Sequence, residues 1–279
     1  MNDYAVVVSG ASSGIGAATA EVLAYEGFVV IAGVRSDADA ASLSNVHPNV
    51  RPTRFDVRER ASIDGAVEAA VATGLPFRGV VCNAGIAVAG PLEHVPIDEL
   101  RRQFDVNVFG ALALAQGALP HLAPGFGRIV FVGSISGRLA TPYLGPYSAS
   151  KFALRALADA LRMELAPARI GVSLIEPGSV RTPIWRKGRA GKDRLVSMIA
   201  ATRRAHYHAA LDAVIAQTYL EERGGMPVER VARSILDALV ARKPRAQYVL
   251  GAPARMGSLL AVLPPAWRDR AMRASMRLP

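Results

Sequence analysis

The sequence predicts an α/β fold, a doubly wound parallel sheet with helices on both faces. Three observations predict it. The first 180 residues alternate short β-branched runs with stretches whose apolar residues fall at helical spacing. The short runs are nearly continuous in apolar residues, as parallel strands covered on both faces require. With 279 residues, 51% of them hydrophobic, the chain can bury a sizeable core, and no linker, repeat or low-complexity tract divides it. A single domain is therefore expected.

The strands are expected at residues 5–8, 28–34, 50–55, 79–82, 127–132 and 171–175. Helical patterns lie between them, for example at 17–26 and 152–165. Ligands of such sheets bind beyond the carboxyl ends of the strands, so the residues following each strand are where chemistry should be sought. From 181 to 225 the alternation stops, and a basic segment of helical character reads as a cap within the domain. A short strand at 247–250 then closes the sheet, and a tail occupies 252–279.

Composition narrows the function classes. The single cysteine, Cys82, excludes an intramolecular disulfide and suits a reducing cytoplasm. Asp3 stands where a secretory leader would carry a basic residue, and the apolar stretches fall short of a membrane span. The net charge of +10 is uneven: residues 1–150 carry 10 Arg and 13 acids, and residues 151–279 carry 23 basic and 10 acidic residues. No nucleic-acid-binding motif accompanies this charge, so nucleic acid is not expected as a partner.

After the first strand comes Ser9-Gly10-Ala11-Ser12-Ser13-Gly14-Ile15-Gly16, leading into a helix. Gly10, Gly14 and Gly16 form a G-x-x-x-G-x-G loop, which permits a tight turn and close approach of a pyrophosphate to the helix N-terminus. The same residues satisfy G-x-S-x-G, the nucleophile elbow of α/β-hydrolases, with Ser12 as nucleophile. A hydrolase would need a downstream acid and histidine, and His206 and His208, both in the basic segment, are the sole histidines in the second half of the chain. A dinucleotide site is the better reading. The second strand ends in Gly33-Val34-Arg35-Ser36, with no acid until Asp37. An acid there would repel a 2′-phosphate, whereas the planar cation of Arg35 can grip one, so NADP(H) is favoured over NAD(H).

Tyr147-Ser148-Ala149-Ser150-Lys151 opens a helix, placing Tyr147 and Lys151 on one face at i and i+4. A free phenol has a pKa of about 10, and a nearby ammonium lowers it toward the useful range. Thirteen residues upstream, Ser134 follows another strand, where its hydroxyl can hold a substrate carbonyl oxygen.

These landmarks in this order, with Asp56, Cys82-Asn83-Ala84-Gly85, Asn107, and Pro177-Gly178 before Thr182, resemble the short-chain dehydrogenase/reductase family over about residues 4–250. The resemblance implies a Rossmann-type fold and a tetrad of Asn107, Ser134, Tyr147 and Lys151. Tyr147 would exchange the proton, Ser134 would polarise the carbonyl, and Lys151 would lower the Tyr147 pKa and hold the nicotinamide ribose. Asn107 would anchor a water leading from Lys151 to solvent. The cofactor would lie along Gly10, Ser12, Ser13, Gly14, Ile15 and Gly16, then Arg35, Asp56 and Val57, and Asn83, Ala84 and Gly85. Tyr147, Lys151, Pro177, Gly178, Val180 and Thr182 would complete its site. Asp56 would bond the adenine amine, Asn83 would pack beside the adenine ribose, and Thr182 would hold the carboxamide. One departure is Cys82, where the family often has asparagine; it reads as buried packing. No metal is expected.

The basic segment holds Arg186, Lys187, Arg189, Lys192 and Arg194, then Tyr207, Leu211, Val214, Ile215 and Tyr219 at helical spacing. Its length resembles the hydroxysteroid and retinol dehydrogenase-like branch, which implies a hydrophobic ketone, aldehyde or alcohol as substrate. The family also implies a homodimer or homotetramer. In the tail, Met256, Leu259, Leu260, Val262, Leu263 and Trp267 precede Arg268, Arg270, Arg273 and Arg277. Such a basic amphipathic stretch can meet a neighbouring subunit or an anionic membrane, and the sequence alone favours the subunit. The alternative function is a dinucleotide-binding redox sensor without turnover, but family members of that kind tend to lose the tyrosine or lysine kept here.

Overall fold

β1 (Ala5–Val8) is four small apolar residues with no side chain exposed, and its alternate residues feed two cores. Ala5 and Val7 face one side of the sheet with Ile31, Phe77 and Val80, while Val6 and Val8 face the other with Val30, Ala32 and Val130. Burial on both faces explains why the strands read as apolar runs. The computed structural model describes residues 3–184, 199, 207, 212, 215, 216, 218, 219 and 222–276.

The sheet has seven strands, all paired in parallel: β1, β2 (Val29–Val34), β3 (Val50–Arg54), β4 (Phe77–Cys82), β5 (Arg128–Val132), β6 (Gly171–Pro177) and β7 (Gln247–Leu250). Their order is β3-β2-β1-β4-β5-β6-β7, so the winding reverses between β1 and β4. That switch point is where a Rossmann-type sheet opens a ligand crevice. The helices are α1 (Gly14–Tyr25), α2 (Asp37–Ser44), α3 (Arg60–Val71), α4 (Ile97–Phe104), α5 (Gly110–Ala118) and α6 (Gly145–Glu164). After β6 come α7 (Val228–Val240), α8 (Ala252–Leu260) and α9 (Pro265–Ser275).

The expected strands are all present, with ends shifted by two residues or fewer. β4 starts at Phe77, two residues before the expected 79, because Gly79 continues the strand at φ 151°. A Cβ there would stand 1.8 Å from the Arg128 carbonyl oxygen, so a glycine is required in mid-strand. Helix α6 begins at Gly145, two residues before the Tyr147–Lys151 segment expected to open it, and Pro146 in its first turn presets the helical φ. Between α4 and α5 the helix widens into a π-turn over Asp105–Phe109, which holds Asn107. Residues 185–198 and most of 200–221 lie outside the described residues, and with them the basic loop, His206, His208, Leu211 and Val214. Among the described residues no helix is long and apolar enough to cross a membrane, and no cluster of ligating side chains could hold a metal.

Candidate active site

The glycine loop is tied to the neighbouring strand by one hydroxyl. Ser9, at the end of β1, donates to the Val81 carbonyl at 3.2 Å and accepts from the Asn83 and Ala84 amides at 2.9 and 3.0 Å. The Asn83 side chain donates in turn to the carbonyls of Ser9 and Gly10, at 2.9 and 3.1 Å. The loop after β4 thereby holds the loop after β1 across the switch point. Gly10 and Gly14 adopt φ of 66° and 60°, and a Cβ on Gly16 would stand 2.2 Å from the Gly10 carbonyl oxygen. Ser13, the N-cap of α1, makes no side-chain cap, which leaves the first N–H groups of the helix for an anionic group. A pyrophosphate fits this cradle.

Arg35 follows β2 as an exposed cation on the rim of the same cleft. The acids beyond it are engaged elsewhere. Ser36 caps α2, accepting from the Asp39 amide and donating to its carboxylate at 2.7 Å, and Asp37 faces Arg54 at 3.8 Å. Asp56, after β3, meets the Arg58 guanidinium through both carboxylate oxygens, at 3.0 Å from Nε and 2.7 Å from Nη2. That hydrogen-bonded fork is the main reason its carboxyl lies below the usual aspartate range. Sequence reasoning missed Arg58; the Asp-x-Arg spacing at a strand end is the signal that could have found it.

At the other end of the cleft, β5 delivers Ser134 and α6 delivers Tyr147 and Lys151. Ser134 opens a short 3₁₀ turn, Ile135–Gly137, and its Oγ accepts from the Ser136 amide at 3.1 Å. Tyr147 and Lys151 are both buried. The Lys151 ammonium donates to the Val132 carbonyl at 2.8 Å and lies 5.7 Å from the Tyr147 ring centre. Burial lowers its pKa to about 8, so it is charged at neutral pH and loses its proton above that value.

Asn107 stands behind this group. Its side chain accepts from the Ile86 amide at 2.9 Å, and donates to the Ile86 carbonyl at 3.0 Å and the Ser150 hydroxyl at 3.1 Å. Ser150 Oγ passes the chain on to the Tyr147 carbonyl at 2.7 Å. Gln103, one turn earlier, clamps the Ile86 carbonyl and the Val88 amide, both at 2.6 Å. Two amide side chains thus satisfy an extended segment that pairs with no strand.

A buried ion pair joins the loop after β5 to the end of β6. Arg138, just past the Ser134 turn, donates Nε to Glu176 Oε1 at 2.9 Å, with a second, shorter contact from Nη2 to Oε2. Glu176 is 1% exposed and immediately precedes Pro177-Gly178. Arg138 also donates to Gln247 of β7 at 2.6 Å.

Of the site residues expected from the sequence, all but Gly16 and Asn107 line one continuous cleft along the carboxyl ends of the strands. Gly16 packs beneath the loop and Asn107 behind the lining. Gly33, Phe55, Ile86, Val106, Val132 and Ile184 line it as well and were not expected. Gly33, Phe55 and Val132 sit at strand ends, where position alone could have marked them. Thr182 lies across from Gly14, its Cγ2 only 3.2 Å from where a Gly14 Cβ would stand. From the cap side, the Tyr207 hydroxyl donates to Glu93, and its ring meets His94 edge-on with centres 5.6 Å apart.

The family model for short chain dehydrogenase matches residues 4–193. The chain is 39% identical over 252 residues to an NADPH-dependent 3-dehydrocapnine reductase of Ornithobacterium rhinotracheale, covering 88% of this chain and 87% of that protein. It is 35% identical over 258 residues to a 3-amino-tetrahydro-pyrrolizinone reductase of Xenorhabdus hominickii, covering 91% and 89%. Among solved structures, a short-chain dehydrogenase from Streptomyces avermitilis superposes with a TM-score of 0.77 at 26% identity, over 99% of this chain and 96% of that one.

Proposed function

This chain belongs to the short-chain dehydrogenase/reductase family of dinucleotide-dependent oxidoreductases, and we propose that it interconverts a hydrophobic ketone or aldehyde and its alcohol using NADP(H), with Tyr147 as general acid and base. The observation that carries this reading is the meeting of Ser134, Tyr147 and Lys151 in one cleft with the glycine loop. When bound, the nicotinamide supplies or accepts a hydride.

The chain's own residues do the rest. Ser134 keeps its hydroxyl proton for a substrate carbonyl while its oxygen accepts from Ser136. The Tyr147 phenol gives its proton to that carbonyl oxygen as charge develops, and takes one back in the oxidative direction. The charged Lys151, fixed on Val132, favours the phenolate and so makes the proton easier to release. Asn107 sets the start of α6 through Ser150 and the Tyr147 carbonyl. Its side chain is spent on Ile86 and Ser150.

Arg35 supports NADP(H), since the acids that would bond a free ribose are turned to Ser36 and Arg54. The relative named as NADPH-dependent agrees with it. The apolar lining by Ile86, Val106 and Ile184 supports a hydrophobic substrate. We read residues 1–180 as the cofactor-binding and catalytic core and 181–225 as the cap of the same domain. A cytoplasmic homodimer or homotetramer completes the proposal. Consumption of NADPH and NADH, followed side by side with apolar ketones and aldehydes, tests it: turnover with NADPH supports the reading. Failure of both dinucleotides to bind would overturn it.

A further inference from the structure

The turn that carries Ser134 and the end of β6 are held together by side chains. Backbone pairing between β5 and β6 ends at Val132 and Ile175, with one further bond from the Gly133 amide to the Ile175 carbonyl at 2.7 Å. Beyond it the two segments part: Ser134 opens the 3₁₀ turn, and β6 runs on through Glu176 to Pro177. Arg138 bridges the gap. Its amide donates to the Ile135 carbonyl at 2.8 Å, so it is carried by the turn of Ser134, and its guanidinium grips both carboxylate oxygens of Glu176. The same guanidinium reaches Gln247 of β7 at 2.6 Å, and the Gly178 amide donates to the Leu250 carbonyl of β7 at 3.0 Å.

Stability alone does not account for an ion pair at this place. The Glu176 side chain is 1% exposed, and taking a carboxylate out of water is costly even when it is paired. An apolar pair of similar size commonly holds a fold as well or better. What an apolar contact lacks is direction. A guanidinium meets a carboxylate in one plane at set distances, and so fixes the turn of Ser134 against the residues that follow Glu176. Helix α8 packs on the same two segments, with Ala254 against Gly178 and Gly257 against Ile135. Those contacts press the segments together, but apolar packing is non-directional and leaves their spacing to the ion pair.

We propose that Arg138 and Glu176 are positioning residues for the reaction, setting the Ser134 hydroxyl against Pro177 and Gly178 at the end of the cleft assigned to the nicotinamide. The inference rests on the reaction proposed above. It adds two residues that act through others, since neither lines the cleft whereas Ser134, Pro177 and Gly178 do. Group transfer tolerates little misplacement, and an error of about 1 Å costs about a hundredfold in rate. The phosphates of the dinucleotide are assigned to the glycine loop and Arg35, at the other end of the cleft. Loss of the pair should therefore slow the reaction and leave NADPH affinity nearly unchanged.

The test combines Arg138→Met with Glu176→Leu in the full chain, which leaves neither charge unpaired and so keeps the fold. Urea unfolding, NADPH binding and steady-state kinetics are compared with the unaltered chain, using the carbonyl that chain reduces fastest. The expected result is a similar unfolding midpoint and an NADPH Kd within a few-fold, with kcat lower by about ten- to a hundredfold. The isotope effect on kcat from NADPH deuterated at C4 should grow as hydride transfer becomes the slower step. The emission of bound NADPH, read without substrate, should shift as the nicotinamide end loosens. Glu176→Gln, which keeps an acceptor for Arg138, should show the same changes in smaller measure. An unchanged kcat and emission in the double variant would overturn the inference and leave the reaction standing. A kcat that falls in step with NADPH affinity would overturn it as well, because the pair would then hold up the whole site. If the unaltered chain bound NADPH but reduced no carbonyl, the reaction itself would fail and take the inference with it.

Discussion

Lys151 Nζ donates to the Val132 carbonyl at 2.8 Å, which fixes the buried ammonium of α6 to the strand end that delivers Ser134 two residues later. One hydrogen bond therefore sets the spacing between the group that tunes Tyr147 and the hydroxyl that would face the substrate. It also places the cation where burial disfavours its charge and lowers its pKa to about 8.

That value predicts a pH dependence. A lowered lysine pKa means the ammonium is present below about pH 8 and absent above it. The catalytic constant for carbonyl reduction should hold steady from neutrality to about pH 8, then fall as the field on Tyr147 is lost. Lys151→Arg keeps its charge throughout, so whatever activity it retains should lack this alkaline limb. A limb unchanged in that variant would show that another group titrates.

Cofactor choice rests on Arg35. A charge-assisted contact to a phosphate contributes about 1.5–3 kcal/mol. Arg35→Ala should therefore raise the KM for NADPH by about 10- to 100-fold and leave that for NADH nearly unchanged. Arg35→Asp should reverse the preference. Parallel kinetics with both cofactors measure this, and equal losses for both would deny Arg35 contact with the 2′-phosphate.

The glycine loop leaves no room for a methyl group. In Gly16→Ala the new Cβ would stand 2.2 Å from the Gly10 carbonyl oxygen and 2.5 Å from the Asn83 amide nitrogen, so the clamp on the loop must open. Dinucleotide affinity, followed by titration calorimetry, should fall by tenfold or more with the sheet intact by circular dichroism. Unchanged affinity would mean that the loop does not cradle the cofactor.

The buried pair Arg138–Glu176 should show its value when broken. Glu176→Ala leaves a buried guanidinium without its main partner and should cost about 3–5 kcal/mol in denaturant unfolding. Replacing both residues by apolar ones of similar size should cost less than Glu176→Ala alone. A small loss in the single variant would mean that Gln247 and solvent suffice for Arg138.

Much of this was legible beforehand because the strands are buried on both faces and so written as apolar runs. The loops that follow them carry glycine, asparagine and tyrosine in fixed order. Arg35, Ser134 and Tyr147 were legible because each stands directly after a strand or in the first turn of a helix. Contacts that depend on three-dimensional closure were not. Arg138 and Glu176, which pair in the structure, are separated by 37 intervening residues. The Asn107 side chain holds Ile86 and Ser150, contacts that local sequence does not show, because the π-turn aims it at an unpaired segment.

The central claim is that Tyr147 moves the proton, and the direct measurement is NADPH oxidation by Tyr147→Phe beside the unaltered chain, with NADPH binding followed by its fluorescence. The account predicts that the variant binds NADPH within a few-fold of the original and loses turnover by at least about 10²-fold. Turnover close to that of the unaltered chain, at matched NADPH occupancy, would contradict it.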